Sequence, residues 1–183
     1  MITQLESNNY ALDNLLPELS LIKDLQTRNS TTQVILSTPG LFWYRASAFY
    51  KGHHPDDELG DWGNLLHVKR VVLVGKVLAV SENLGNDESS AFFSSLTLHD
   101  IGKYGVDGEQ ERIQKDHPEL GKRIILAYLG REASSIEESM VSIVLTHMGR
   151  WGKVRPVTQL EKLGHYCDAI ASRADISIPV KLK

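Results

Sequence analysis

The sequence predicts an all-α helical bundle with a loop-rich N-terminal segment. Apolar residues recur at three-to-four spacing through several separate stretches, the pattern of helices that bury one face. Cap-forming residues precede some of these stretches and glycines close others. The one run with extended character, Val34, Ile35 and Leu36, is too short and solitary to establish a sheet.

Residues 10–27 place Leu12, Leu15, Leu16, Leu19, Leu21, Ile22 and Leu25 near helical spacing and predict a first amphipathic helix. "TRNSTTQVILSTPG" breaks that pattern, and "FWYRASAFYKGHHPDDELGDWG" reads as a long irregular loop. A helix over about 64–83 follows Gly63, with Asn64 as its cap and His67, Val71, Val74 and Leu78 on its core stripe. A second spans about 87–100, with Asp87 as a cap. A third begins near Asp116, tolerates Pro118 in its first turn, carries Leu120, Ile124 and Leu126, and stops at Gly130. The fourth, "SSIEESMVSIVLTHMG", offers Ser134/Glu137 or Ser135/Glu138 as a capping box and delivers His147 in its last turn. A final helix over about 158–175 sets Asp168 among Leu160, Leu163, Tyr166, Cys167, Ile170 and Ala171.

Composition narrows the class. A chain of 183 residues, 42% hydrophobic and 23% charged, fits one globular core and is far from disordered or fibrous sequences. The apolar run "NLLHVKRVVLVGKVLAV" contains His67, Lys69, Arg70 and Lys76, too many polar interruptions for a membrane span. "MITQLESNNYALDNLL" lacks the basic and apolar regions of a secretory signal. A single cysteine, Cys167, leaves no internal disulfide. A cytoplasmic location is expected. The net charge of −3 is too small to argue for or against a polyanionic partner.

Chemistry concentrates in His67, His99, Asp100, His117, His147 and Asp168, drawn from five segments. Four imidazoles and two carboxylates form a nitrogen and oxygen donor set that suits Mn, Fe, Co, Ni or Zn better than Mg or Ca. Each residue also has a plainer role. His67 fits a hydrogen-bonded core histidine and His147 a helix C-terminus stabilised by the dipole. Asp168 is hardest to explain that way, because an ionised carboxylate among apolar neighbours is costly without a cation. His53 and His54 lie in the loop as candidate substrate contacts, and His165 either supports Asp168 or faces solvent.

In order, "HDIGK", "DHPELGKRI" and "THMGRWG", preceded by His67 and followed by Asp168, resemble the motifs of the HD-domain superfamily of metal-dependent phosphohydrolases. The two-metal branch, including the HD-GYP phosphodiesterases, is similar. The segments "ASAFYKGHHPDDELGDWGNLLHV" and "THMGRWGKVRPVTQLEKLGHYCDAIASR" look closest to the HD domain of YhaM-type 3′-to-5′ exoribonucleases. The similarity spans roughly residues 43–175 and divides the chain into a helical extension, 1–40, and an HD domain, 41–183, in one structural unit. Two departures stand out. Residues 1–40 are too few and too helical for the OB domain of YhaM-type enzymes, and Trp151-Gly152 replaces the Gly-Tyr-Pro signature.

The resemblance implies that His67, His99, Asp100 and Asp168 hold one divalent ion, and that Asp100 bridges to a second held by His117 and His147. Two such ions lower the pKa of a shared water and neutralise charge on phosphorus. Asp100 and Lys103 are then the catalytic residues, with Lys103 reaching a phosphate oxygen. Arg150, Arg155 and His54 contact substrate, and Trp43, Tyr44 or Trp151 stacks on a base. The expected activity is hydrolysis of a phosphate ester of a nucleotide or nucleic acid, in a protein with no membrane association that can form a homodimer. The alternatives are a 3′-to-5′ exonuclease on RNA or single-stranded DNA, a di-iron HD-domain oxygenase, and a non-catalytic module braced by metals.

Overall fold

In a computed structural model, which describes residues 16–180 and 182, the chain is helical, as its sequence predicts. Seven α-helices and no β-strand occur among the described residues: α1 Leu25–Ser37, α2 Gly40–Tyr44, α3 Gly63–Ser81, α4 Asn86–Leu98, α5 His117–Leu129, α6 Ser135–Thr146 and α7 Gln159–Ala171. α4 is central and packs against α1, α3, α6 and α7; α3 also packs on α7, and α5 on α6. No helix among the described residues is long and apolar enough to cross a membrane.

Two buried clusters meet along the same helices. Val68, Leu98, Ile101, Ile125, Met140 and Val144 join Phe42 and Trp43 in one, and Val71, Phe92, Leu96, Ile143 and Cys167 form the other. Each fully buried apolar side chain contributes about 1.5–3 kcal/mol. The clusters change over between Val68 and Val71 on α3 and between Leu96 and Leu98 on α4. His67 and His99 flank those changeovers, so the site is built where the two clusters meet.

The N-terminal third departs from expectation. Positions 10–15 of the first predicted helix lie outside the described residues; Pro17–Leu21 is a 3-10 turn, and the helix begins only at Leu25. The segment expected to break the pattern is α1 itself, Val34 to Leu36 included. Asp24 caps it by accepting from the Thr27 amide at 2.7 Å. Half of its buried face is threonine, Thr27 and Thr31. Thr31 donates to the Thr27 carbonyl and pairs with Ser94 on α4, so a hydroxyl is buried with partners where an apolar group was sought. The Thr27 hydroxyl is buried without a hydrogen bond. The loop that follows contains α2 and a 3-10 turn at Asp56–Glu58.

Other boundaries shift for local reasons. Trp62, not Asn64, precedes α3, in the left-handed conformation at φ 66°. Asn64 instead donates to the Phe42 carbonyl at 2.7 Å, tying α3 to α2. Asp87 sits inside the first turn of α4, whose start is closed by Glu88 accepting from the Gly85 amide. Asp116 precedes α5 without a side-chain cap bond. Of the two capping boxes for α6, Ser134/Glu137 is the one formed. Ile125 rather than Leu126 is buried on α5, and α7 ends at Ala171.

Glu137 does more than cap α6. Its side chain is fully buried and accepts from Arg131 at 2.7 Å and from Ser30 of α1 at 2.7 Å. Burial would raise its carboxyl, but Arg131 and the bonds from Ser134 and Ser30 hold it down to about 2. Glu137→Gln is expected to lower the unfolding free energy at pH 7 by about 1–3 kcal/mol in urea denaturation. The folded carboxyl lies below its ordinary value of 4.5, so the wild-type advantage is complete above that value and is lost as pH falls toward 2. The two unfolding curves should converge over that interval.

Candidate metal centre

Five helices deliver six side chains to one point. α3 supplies His67, the end of α4 His99, the turn after it Asp100, the start of α5 His117, the end of α6 His147, and α7 Asp168. Asp100 lies at the centre and is 3% exposed. Its Oδ1 is 3.1 Å from His117 Nε2 and 3.7 Å from His147 Nε2. Its Oδ2 is 3.3 Å from His99 Nε2 and 3.7 Å from His67 Nε2. Asp168 Oδ1 stands 3.1 Å from His67 Nε2 and 3.9 Å from His99 Nε2. One carboxylate thus faces two pairs of imidazoles.

The backbone orients three of those rings in the same way. Nδ1 of His99, His117 and His147 lies 2.9, 2.8 and 2.7 Å from the carbonyls of Leu96, Gln114 and Val144, each three residues earlier. With Nδ1–H committed as donor, a neutral ring turns its Nε2 lone pair inward. His117 and His147 then face each other with Nε2 atoms 3.0 Å apart, and His67 and His99 with theirs 3.3 Å apart. Ligand atoms about 2.0 Å from a tetrahedral ion are separated by about 3.3 Å. His67, His99 and Asp100 could hold one ion, and Asp100, His117 and His147 another.

Electrostatics favours positive charge here. Burial would raise the Asp100 carboxyl, but the Lys103 ammonium that donates to it and the imidazoles around it hold it well below the usual carboxylate range. Asp168 is likewise held down against burial by His67 and His99. Burial would lower the His67 imidazole, yet Glu58 and Asp168 push it up to about 9. Two carboxylates kept ionised side by side give the pocket the negative potential that a cation site needs, and the same potential raises His67, which releases its Nε2 proton when it ligates an ion. The ends of α4 and α6, where His99 and His147 sit, add the negative pole of the helix dipole.

Residues 64–173, well over half of the chain, match the HD-domain family. The chain is an HD-domain protein. No curated protein and no solved structure matches it. Membership implies a metal-dependent hydrolase, and the donor set just described suits divalent ions.

An open cleft of about 1290 Å³ lies over the centre of the HD domain, with Asp100, Lys103, His117 and Asp168 among its lining residues. Lys103 is 6% exposed, and its Nζ donates to Asp100 Oδ2 at 2.6 Å and to Ser47 at 3.0 Å. His54 lines the cleft, as does His53. Arg150 lies over the ring of Trp151, which lines the cleft, while the exposed Arg155 is not among the lining residues; Arg112 and Arg173 are. Trp43 cannot stack on a base, because it is fully buried in the core, and Tyr44 packs edge-on against Trp62. His165 supports His147 rather than Asp168: its Nδ1 lies 2.7 Å from the His147 carbonyl.

Sequence reasoning missed Glu58. It is fully buried, 2.7 Å from His54 Nδ1 and 2.6 Å from Arg70 Nη1. Nothing in "HHPDDE" distinguishes it from the exposed Asp56 and Asp57. A signal did exist in Arg70, an arginine on a core helix three residues after His67, since a buried guanidinium requires a carboxylate partner.

Gly102 sets the distance between the Asp100 turn and α5. A methyl group there would meet the His117 carbonyl at 2.4 Å and the Gly121 amide at 2.5 Å, neither of which can yield without moving the helix. Gly102→Ala is expected to cost about 1–3 kcal/mol in thermal or chemical denaturation. Ion binding should weaken with it, since His117 moves away from Asp100.

Proposed function

We propose that this HD-domain protein is a two-metal phosphohydrolase acting on a phosphate ester of a nucleotide or nucleic acid. The observation that carries the reading is the split of the Asp100 carboxylate, with Oδ2 toward His67 and His99 and Oδ1 toward His117 and His147. Asp168, 3.1 Å from His67 Nε2, would add a carboxylate to the first group. Two divalent ions bound there would acidify a water and offset charge developing on the phosphoryl oxygens.

The remaining roles follow from position. Lys103, at the floor of the cleft, exchanges part of its bond with Asp100 for a phosphoryl oxygen, and Ser47 keeps its ammonium directed there. Imidazoles tied to main-chain carbonyls three residues earlier need no rearrangement when charge develops, which is the preorganisation that electrostatic catalysis requires. Trp151, 61% exposed, and Tyr50, 82% exposed, line the cleft as aromatic side chains on which a base would stack. Arg112 and Arg173 line it as well, and a cleft of this size admits more than a bare phosphate.

The test is metal analysis of protein purified without chelators. It is followed by manganese-supported assays on nucleoside mono- and triphosphates, cyclic dinucleotides and short labelled RNA and DNA. Asp100→Asn should lose both ions and lower turnover by roughly a thousandfold, the equivalent of several kcal/mol of transition-state stabilisation. Lys103→Met should keep both ions and lower kcat/KM by about a hundredfold. Stepwise shortening of an oligonucleotide would make the protein an exonuclease. Two tightly held irons with no phosphate release would overturn the proposal in favour of an oxygenase.

A further inference from the structure

Three of the four central imidazoles take their orientation from a carbonyl of the preceding turn, and His67 does not. It lies within α3, where carbonyls are already engaged in the helix ladder. Its Nδ1 is buried and has no hydrogen bond of its own, while Glu58 Oε2 lies 3.2 Å away. The buried donor without a bond therefore lies against a fully buried acceptor.

Glu58 is itself held on three sides. Arg70 donates to its Oε1 at 2.6 Å, and Arg70 is anchored in turn by Asp57 at 2.6 Å and the Ile178 carbonyl at 2.9 Å. His54 Nδ1 lies 2.7 Å from Oε2. The Glu58 carbonyl accepts from the Ser47 amide at 2.8 Å, and a methyl group on Gly63 would meet that carbonyl at 2.2 Å, so the loop rests directly on the start of α3.

We propose that Glu58 is the positioning residue for His67: it accepts the Nδ1 proton and so commits Nε2 to the ion shared with His99 and Asp100. The ion-pair contact of Arg70 with Oε1 argues against a cation bound by Glu58 itself. Carboxylates behind ligating histidines typically strengthen metal binding by 10–100-fold. The proposal rests on the two-metal reading and concerns only one of the two groups, because the ion-pair contacts of the Glu58 carboxylate are with His54, His67 and Arg70.

Chelator-treated wild type, Glu58→Gln and Asp57→Asn would be titrated with manganese(II) by calorimetry. Wild type should bind two ions. Glu58→Gln should weaken one of them by about 10–100-fold and leave the other unchanged. Asp57→Asn, which loses the exposed partner of Arg70 but keeps the carboxylate at His67, should match wild type. Unchanged binding in Glu58→Gln, or parallel loss of both ions with a fall in Tm, overturns the proposal. Should Glu58→Gln fail to fold, the zinc-loaded wild type decides by nitrogen-15 NMR: the Nδ1–H form of His67 supports the proposal and the Nε2–H form overturns it. Wild type that binds no ion overturns the two-metal reading, and this proposal with it.

Discussion

The Asp100 carboxylate sits in the interior with four Nε2 atoms between 3.1 and 3.7 Å from its two oxygens. Three of those rings have Nδ1 against a carbonyl, so neutral imidazoles would crowd lone pairs against one another and against the carboxylate. That crowding is costly in a medium of low polarity and is relieved by positive charge. The fold holds the arrangement in place by committing helix ends to it. α4 and α6 stop where a histidine is needed, and α5 starts where one is needed. At the ends of α4 and α6, carbonyls that the helix leaves free, those of Leu96 and Val144, become the acceptors that aim the rings.

The surrounding packing explains why the centre can hold its shape. Both hydrophobic clusters run through α3, α4 and α6, so displacing a ligand displaces core side chains. Close approaches add to this rigidity. Gly164 admits Ile143 from α6, and Gly75 admits Leu96 from α4. The cleft side is different, since Phe49, Tyr50, Trp151 and Arg173 are substantially exposed. A closely packed floor under an exposed rim separates the residues that would hold an ion from those that border the cleft.

Much of this was legible in the sequence, for identifiable reasons. α5, α6 and α7 carry strong apolar periodicity, and α6 and α7 also carry Ser-x-x-Glu or Thr-x-x-Glu starts. α1 was illegible because its inward face is half threonine, and only the Thr31 hydroxyl finds partners there, in the Thr27 carbonyl and Ser94. The six central residues were found because their order and types form a chemical pattern, whereas their convergence is a tertiary fact. Glu58 depends on a loop crossing the start of α3, and local composition carries no trace of such a crossing. Trp43 illustrates the opposite error: an aromatic near a loop was offered to solvent when its whole surface belongs to the core.

The loop between α2 and α3 is pinned at its base by three main-chain bonds: Trp62 to Tyr44, Asn64 to Arg45, and Ser47 to Glu58. Its outer part, with Tyr50, Lys51, Gly52 and His53, is exposed. The two parts are therefore under different constraints on length. Insertions or deletions at the outer bend alter only what borders the cleft, while a single residue added below it shifts Ser47 and Glu58 out of register with α3. Divergence in specificity has a permissive place to act, a few residues from one where the chain tolerates no change in count.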